Sequence, residues 1–290
     1  MASAPPPDFP SEWQDALARA ADAQRVVVLG PTDAGKSTFI HALAAVRASG
    51  DTTRIIDLDP GQKMVGPPGT ASLGRFEGAA LTLERFIFLG STAIGSFRAL
   101  AAAAASLSDT AGARFLANTS GYVAGPGAAM QAMTLAALHP DLIVVIGAAP
   151  SLEPVLARWP AALRIARSAV ARRKGEGERR RVRQGAFQAA LEGASPQGFS
   201  GLSFEPAPPA PLIGEARPVC ALADEAGEDI ALAILLGWDK AGASLLTPPP
   251  ARPPHFVRVG KMWAQPAETG WKLLARLAAP TQALPPTSSS

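Results

Sequence analysis

RVVVLGPTDAGKSTFIHAL, Arg25 to Leu43, joins a β-branched apolar run to a helical pattern through eight residues that hold two glycines, a lysine and a serine. Gly30, Pro31, Thr32, Asp33, Ala34, Gly35, Lys36 and Ser37 satisfy G-x-x-x-x-G-K-[ST], the spacing of a loop that cradles phosphates between a strand and a helix. The glycines let the backbone come close to the phosphates, so that consecutive N–H groups and the helix N-terminus face negative charge. Lys36 then reaches the β- and γ-phosphates, Ser37 places a hydroxyl on Mg²⁺, and Thr38 contacts an α-phosphate. A chance match in a glycine-rich chain is the competing reading, and the strand before the loop and the helix after it argue against that. The loop is expected to hold ATP or GTP with Mg²⁺, and no Asn-Lys-x-Asp motif chooses the base.

Outward from the loop, 290 residues suffice for one sizeable domain and a smaller one, and 48% apolar composition supplies a core. Lys and Arg exceed Asp and Glu by only three, so overall charge discriminates little. One cysteine, Cys220, excludes an internal disulfide, and with three scattered histidines no zinc-type cluster can be assembled. The start, MASAPPPDFP, has no basic segment followed by an apolar one, and no run approaches the roughly 18 to 20 apolar residues of a membrane span. A cytoplasmic protein with no membrane contact is expected.

A short helix is predicted over Ser11 to Ala23, with Ser11 as its cap. The runs RVVVLG, TRIIDLD, RFIFLG, RFLANT and LIVVIG then alternate with Ala-rich segments of helical length. That is the pattern of an α/β P-loop NTPase, a mostly parallel sheet flanked by helices. Between Arg164 and Arg183 nine Lys or Arg stand against two Glu, which is either a solvated helical face or a cover for the nucleotide site. The Pro-rich stretch from Gly198 to Pro218 is predicted to be a linker, and the apolar runs beyond it a small antiparallel β domain ending in a disordered tail, PTQALPPTSSS. The expected organisation is a Pro-rich segment with a short helix at 1–24, a P-loop domain that includes the Arg-rich segment at 25–200, and a small β domain at 201–290.

A phosphate loop does not name a reaction. The second strand ends in RIIDLDPGQ, where Asp57 and Asp59 share one side of an extended chain at the carboxyl end of the sheet. One carboxylate there can hold the water shell of Mg²⁺, and the other can take a hydroxyl proton during in-line transfer. Two buried carboxylates without a cation would be costly.

With these residues in place the chain resembles the polynucleotide 5′-hydroxyl kinases related to the Clp subunit of eukaryotic cleavage and polyadenylation factor and to the Grc kinase of ribosomal RNA processing. GPTDAGKST is similar to the family's P-loop, DLDPGQ to its Walker B segment, and VGPPGTASLG to the turn that follows in microbial members. FLGST resembles its third strand, NTSGYVAGPG its clasp, and the basic stretch ending RRRVRQGAF its lid. The likeness runs from about Trp13 through the terminal β unit, and the order of the motifs is its specific part. The resemblance implies that Lys36 and Ser37 bind phosphate and Mg²⁺, that Asp33 lies near the acceptor, and that Asp59 activates the 5′-hydroxyl. Asp57 and Gln62 would support the metal and its waters, and Thr119 would secure Lys36 and the phosphates. Where the family's clasp commonly carries tryptophan this chain has Tyr122, which either offers a stacking face to a base or packs at a strand end. In the lid, Arg179 and Arg183 are four apart and share a helical face, with Arg172 as a third contact, and a Gly-x-Gly interrupts the expected helix.

These readings together predict transfer of the γ-phosphate of ATP or GTP to a 5′-hydroxyl RNA or DNA end, with any protein partner of RNA processing unspecified. The alternative is a nucleotide-dependent scaffold with little or no transfer. A small-molecule kinase or metal-chaperone GTPase fits less well, given the basic segment and the lack of a Cys/His cluster. The remaining tryptophans, His139 in LHPD and Cys220 are read as packing or capping residues.

Overall fold

Strand β1 (Arg25–Leu29) alternates its valines across two cores: Val27 and Leu29 join one apolar cluster, and Val26 and Val28 the other. The structure, a computed structural model, describes residues 10–47, 52–159, 161–168, 171–209, 212 and 214–274, so the tail expected to be disordered lies outside the described residues. Both faces of the first sheet are covered, as a parallel sheet requires. Helices α1 (Ser11–Ala21) and α2 (Lys36–Arg47) lie on one face, and α3 (Phe97–Ala111), α4 (Pro126–Leu138) and the short α5 (Glu153–Leu156) on the other. Ser11 is the first helical residue of α1 rather than its cap; Pro10, in extended conformation, takes the capping position without a side-chain bond. His139 closes α4 in the left-handed conformation.

The first sheet has the order β4-β3-β2-β5-β1-β6-β7. Its parallel part comprises β2 (Thr53–Leu58), β5 (Phe115–Thr119), β1, β6 (Leu142–Ile146) and β7 (Leu163–Ile165). The helical segment expected between TRIIDLD and RFIFLG is absent. The chain there forms β3 (Thr70–Glu77) and β4 (Ala80–Phe88), an antiparallel hairpin joined by a two-residue turn at Gly78 and Ala79. The sheet is therefore mixed, parallel at its centre and antiparallel at one edge.

The second sheet is built from β8 (Ser195–Phe199), β9 (Ser203–Glu205), β10 (Arg217–Ala223), β11 (Asp229–Trp238), β12 (Ala243–Thr247), β13 (Phe256–Ala267) and β14 (Gly270–Leu273). Its order is β14-β13-β10-β11-β12-β8, with β9 parallel to β13. The predicted linker thus carries strand residues; its prolines exclude helix but leave short extended pieces that pair along sheet edges. Helix α6 (Glu176–Ala190) packs on this sheet, its Phe187 fully buried among Val219, Leu232, Ile234 and Met262. The β3–β4 hairpin is stitched to it as well: Arg85 pairs with Glu228 at 2.6 Å, the N–H of Phe88 donates to Asp229 at 2.7 Å, and the N–H of Lys261 donates to Gly90 O at 2.7 Å. These bonds fix the second sheet beside the carboxyl ends of the first, where α/β proteins bind ligands.

Candidate active site

The loop from Gly30 to Gly35 leaves β1 at its carboxyl end and enters α2, whose first turn holds no acidic residue to cancel its positive end. Lys36 is buried, and its Nζ donates to the carbonyls of Gly30 and Pro31, each at 2.9 Å. Burial pulls its pKa down to about 8 against the attraction of Asp59 and Asp33. Ser37 and Thr38 face a cavity of about 270 Å³ that Thr32, Asp59, Gln62 and Asn118 also line. Beneath the loop lies Trp13 of α1, fully buried, edge-on to Phe39 with ring centroids 5.5 Å apart. Its Nε1–H donates to Ala166 O at 2.9 Å, and a β-carbon at Gly35 would come within 2.9 Å of its ring. Sequence alone makes Trp13 a packing residue; its position under the loop follows from α1 folding back, which no local motif announces.

The two aspartates differ. Asp57 is fully buried and both its oxygens are engaged by the protein. Oδ1 accepts from Asn118 Nδ2 at 2.9 Å and from the N–H of Asp59, while Oδ2 accepts from the N–H of Met64 at 2.6 Å and pairs with Lys63 Nζ at 3.1 Å. Asp57, expected to support the metal, stands opposite Asn118 across the β2–β5 pairing, and Lys63 supplies its counter-charge. Lys63 is not singled out by the sequence, although it stands six residues beyond Asp57 in the same segment. Asp59 holds the N–H groups of Gly61 and Gln62 on Oδ1, both at 3.0 Å, and its Oδ2 has no hydrogen bond among the described residues. Burial raises its pKa above the usual carboxylate range and the charge of Asp57 adds to this; the two N–H bonds and Lys36 oppose it. Gln62 turns its amide to Gly61 O at 2.8 Å beside the cavity.

Among the described residues Thr119 makes no hydrogen bond to Lys36. Its hydroxyl donates to Val28 O at 2.8 Å, because β5 runs beside β1 and the side chain turns toward the neighbouring strand. The clasp nevertheless touches the loop: a β-carbon at Gly121 would fall 2.3 Å from Thr32 Oγ1, so only glycine allows this approach. Next to it Tyr122 is 42% exposed and is not core packing.

On the opposite wall, Gly175 caps α6 and the helix runs unbroken from Glu176, so the expected Gly-x-Gly interruption falls at its start. Arg179 pairs with Asp33, whose Oδ2 also accepts the N–H of Lys174 at 3.1 Å. One turn on, Arg183 donates from Nε to Gly61 O at 3.3 Å, beside Asp59. Arg172 lines the cavity from an exposed position and is paired with Glu178 by two bonds of 2.7 and 2.8 Å. The loop, Asp59, Gln62 and Arg172 therefore line one cavity, Arg179 and Arg183 approach it through Asp33 and Gly61, and Asp57 and Thr119 are buried behind it.

The residues fit a nucleoside triphosphate with a hard cation. The loop presents main-chain donors and a lysine to an anion, and the cavity offers oxygen ligands of the type Mg²⁺ takes. Among those oxygens Asn118 Oδ1 is buried and has no partner among the described residues, an orphaned acceptor whose cost a cation or its water shell would relieve.

Fold and loop together define a P-loop nucleotide-binding protein with a mixed sheet and an appended antiparallel domain. The family described as mRNA cleavage and polyadenylation factor CLP1 P-loop matches residues 30–192, and the chain belongs to it. A polyribonucleotide 5′-hydroxyl-kinase of Pyrococcus furiosus is 28% identical over 207 residues, covering 67% of this chain and 58% of that protein. One from Thermococcus kodakarensis is 32% identical over 174 residues, covering 54% and 48%. The chain thus spans about half the length of these relatives. A solved structure of Clp1p in complex with Pcf11p superposes with a TM-score of 0.66 at 12% identity, over 85% of this chain and 76% of that one, which supports the fold. Among the described residues no helix is long and apolar enough to cross a membrane.

Proposed function

We propose that this chain is a polynucleotide 5′-hydroxyl kinase that moves the γ-phosphate of ATP or GTP onto the 5′-hydroxyl end of RNA or DNA. The observation that carries the reading is the cavity that Lys36, Asp59 and Arg172 line together, with the Oδ2 of Asp59 unbonded among the described residues, Arg179 paired with the cavity residue Asp33, and Arg183 bonded to Gly61 O beside Asp59. The backbone of Gly30 to Thr38 binds the phosphates, and Ser37 with Asn118 Oδ1 would hold Mg²⁺, which when bound neutralises charge on the β- and γ-phosphates. Asp59 Oδ2 takes the 5′-hydroxyl proton as that oxygen bonds to the γ-phosphorus; the bond to the β–γ bridging oxygen breaks and the diphosphate leaves. Arg179 and Arg183 stabilise the charge spread over the equatorial oxygens. Gln62 and Arg172 position the acceptor end, and Tyr122 offers its ring to a base. The setting is cytoplasmic, and the likeness to Clp1p, seen bound to Pcf11p, supports a protein partner in RNA processing.

One observation favours the scaffold alternative: Asp33 already binds Arg179 and Lys174 across the loop, which closes the lid without an acceptor. The deciding experiment offers γ-labelled ATP, and in parallel GTP, to 5′-hydroxyl RNA and DNA oligonucleotides with Mg²⁺. Label at the 5′ end that vanishes in Lys36→Ala supports the kinase and ranks base and sugar. Nucleotide binding without any label transfer overturns the kinase reading in favour of the scaffold.

A further inference from the structure

Away from the phosphate loop, α6 and the β13–β14 hairpin enclose a second cleft of about 350 Å³, a volume at the lower end of those that bind small ligands and ample for a nucleobase. One wall is the face of α6 that carries Arg180, Arg183 and Gln184, and the other carries Trp271 and Lys272. Gln184 holds the two walls together: its amide donates to Trp271 O at 2.8 Å, and its carbonyl accepts the N–H of Leu273 at 2.9 Å. Trp271 is half-buried against the apolar cluster around Phe187, so this aromatic wall is fixed. Arg180 is paired with Glu176, whereas Arg181 and Lys272 are exposed and make no ion pair among the described residues. Arg183 belongs to both places, lining the cleft while its Nε binds Gly61 O beside Asp59.

We propose that this cleft binds the nucleotides that follow the reacting end of a single-stranded polynucleotide, one base against Trp271 and the phosphates on Arg181 and Lys272. An aromatic face between unpaired cations is the arrangement that holds single strands without reading their sequence, because every base has a π-face and every linkage a charge. An acidic protein segment would use the cations but gain little from an indole wall. Continuity decides the occupant: a strand whose first nucleotide sits under Arg183 meets the cleft within the next turn of α6. The proposal rests on the kinase reading for which end enters first.

The test separates the two. Affinity for a labelled 5′-phosphorylated RNA decamer, which needs no turnover, is measured by fluorescence anisotropy over a salt series, alongside transfer to 5′-hydroxyl decamer and dinucleotide acceptors. Arg181→Ala with Lys272→Ala lowers decamer affinity on the order of tenfold and flattens its salt dependence by roughly one to two units of slope. The same pair raises KM for the decamer and leaves kcat and the dinucleotide KM unchanged. Trp271→Ala weakens decamer binding at least about fivefold and Trp271→Phe restores it, which separates stacking from folding. Transfer with unaltered decamer affinity in these variants overturns the cleft and leaves the kinase standing. Impaired binding with no transfer in the wild type does the reverse, and competition by an acidic peptide but not by RNA assigns the cleft to a protein and overturns the proposal.

Discussion

Beneath the phosphate loop lie Trp13, Phe39 and Ile40, all fully buried, whereas α6 on the facing wall has one buried side chain, Phe187, among its fifteen residues. The loop inherits its shape from a core on which two helices and a strand converge. The lid inherits its position from the second sheet, from Gln184, and from two contacts across the cavity, Arg179 with Asp33 and Arg183 with Gly61. Regions with few buried apolar contacts open at the lowest free energy, so the lid is the wall expected to yield first. One site is therefore made of a rigid anion cradle and a movable charge cover, and each half is open to separate attack.

The sharpest break is at the cover. Arg183→Ala is expected to slow single-turnover transfer on the order of 10³-fold or more, as loss of an arginine finger does, with nucleotide affinity nearly unchanged because the loop is untouched. Wild-type kinetics in that variant would reduce the lid to a passive wall. Asp59→Asn comes next, at about 10²- to 10⁴-fold in transfer, again with nucleotide bound. Because its pKa is raised, the acid limb of the wild-type rate profile lies above the ordinary carboxylate range, and a variant that kept this limb would place the base elsewhere.

Phe187→Ala tests whether the lid depends on the second sheet. The substitution should cost about 3 to 5 kcal/mol in the unfolding of that region by chemical denaturation, and transfer should fall while nucleotide affinity stays. Equal loss of nucleotide affinity would show that the two walls are not independent.

The mildest probe is pH, and it acts on the cradle. Lys36 titrates near 8 in the folded protein, whereas a fully solvated lysine, as in an unfolded chain, titrates at 10.5. The unfolded chain thus binds the extra proton between these values, and the contribution of Lys36 makes the free protein more stable as pH rises from about 8 to 10.5. Nucleotide needs the charged form, so its affinity falls through the same window, by at most about tenfold per pH unit. Calorimetric titration at pH 7 and pH 9 checks this, and a flat profile would mean that Lys36 stays charged throughout.

Much of the cradle was legible in the residues because it is local. A strand, a loop of fixed spacing and a helix are contiguous, so the backbone donors and Lys36 follow from the order of residues alone. The aspartate pair was legible as a pair but not in its division of labour. That division depends on β5 entering between β1 and β2, which sets Asn118 opposite Asp57, and on Lys63 turning back to neutralise it. The bond of Thr119 was hidden for the same reason, since its partner, the Val28 carbonyl, is 91 residues away along the chain. The antiparallel β3–β4 edge was missed because VGPPGTASLGRFEG has no helical pattern to reject, only turn residues whose strands declare themselves by pairing.

By itself, then, the sequence determined the phosphate loop, the carboxylates at the second strand end, the order of family motifs, and the existence of a basic segment. Each is a statement about neighbours in the chain, where spacing and stereochemistry suffice. Tertiary structure decided which aspartate keeps an oxygen free, which arginines face the cavity, and where the second cleft opens. Those outcomes depend on burial and on contacts between distant segments, since a side chain's charge and partners are set by what the fold packs around it.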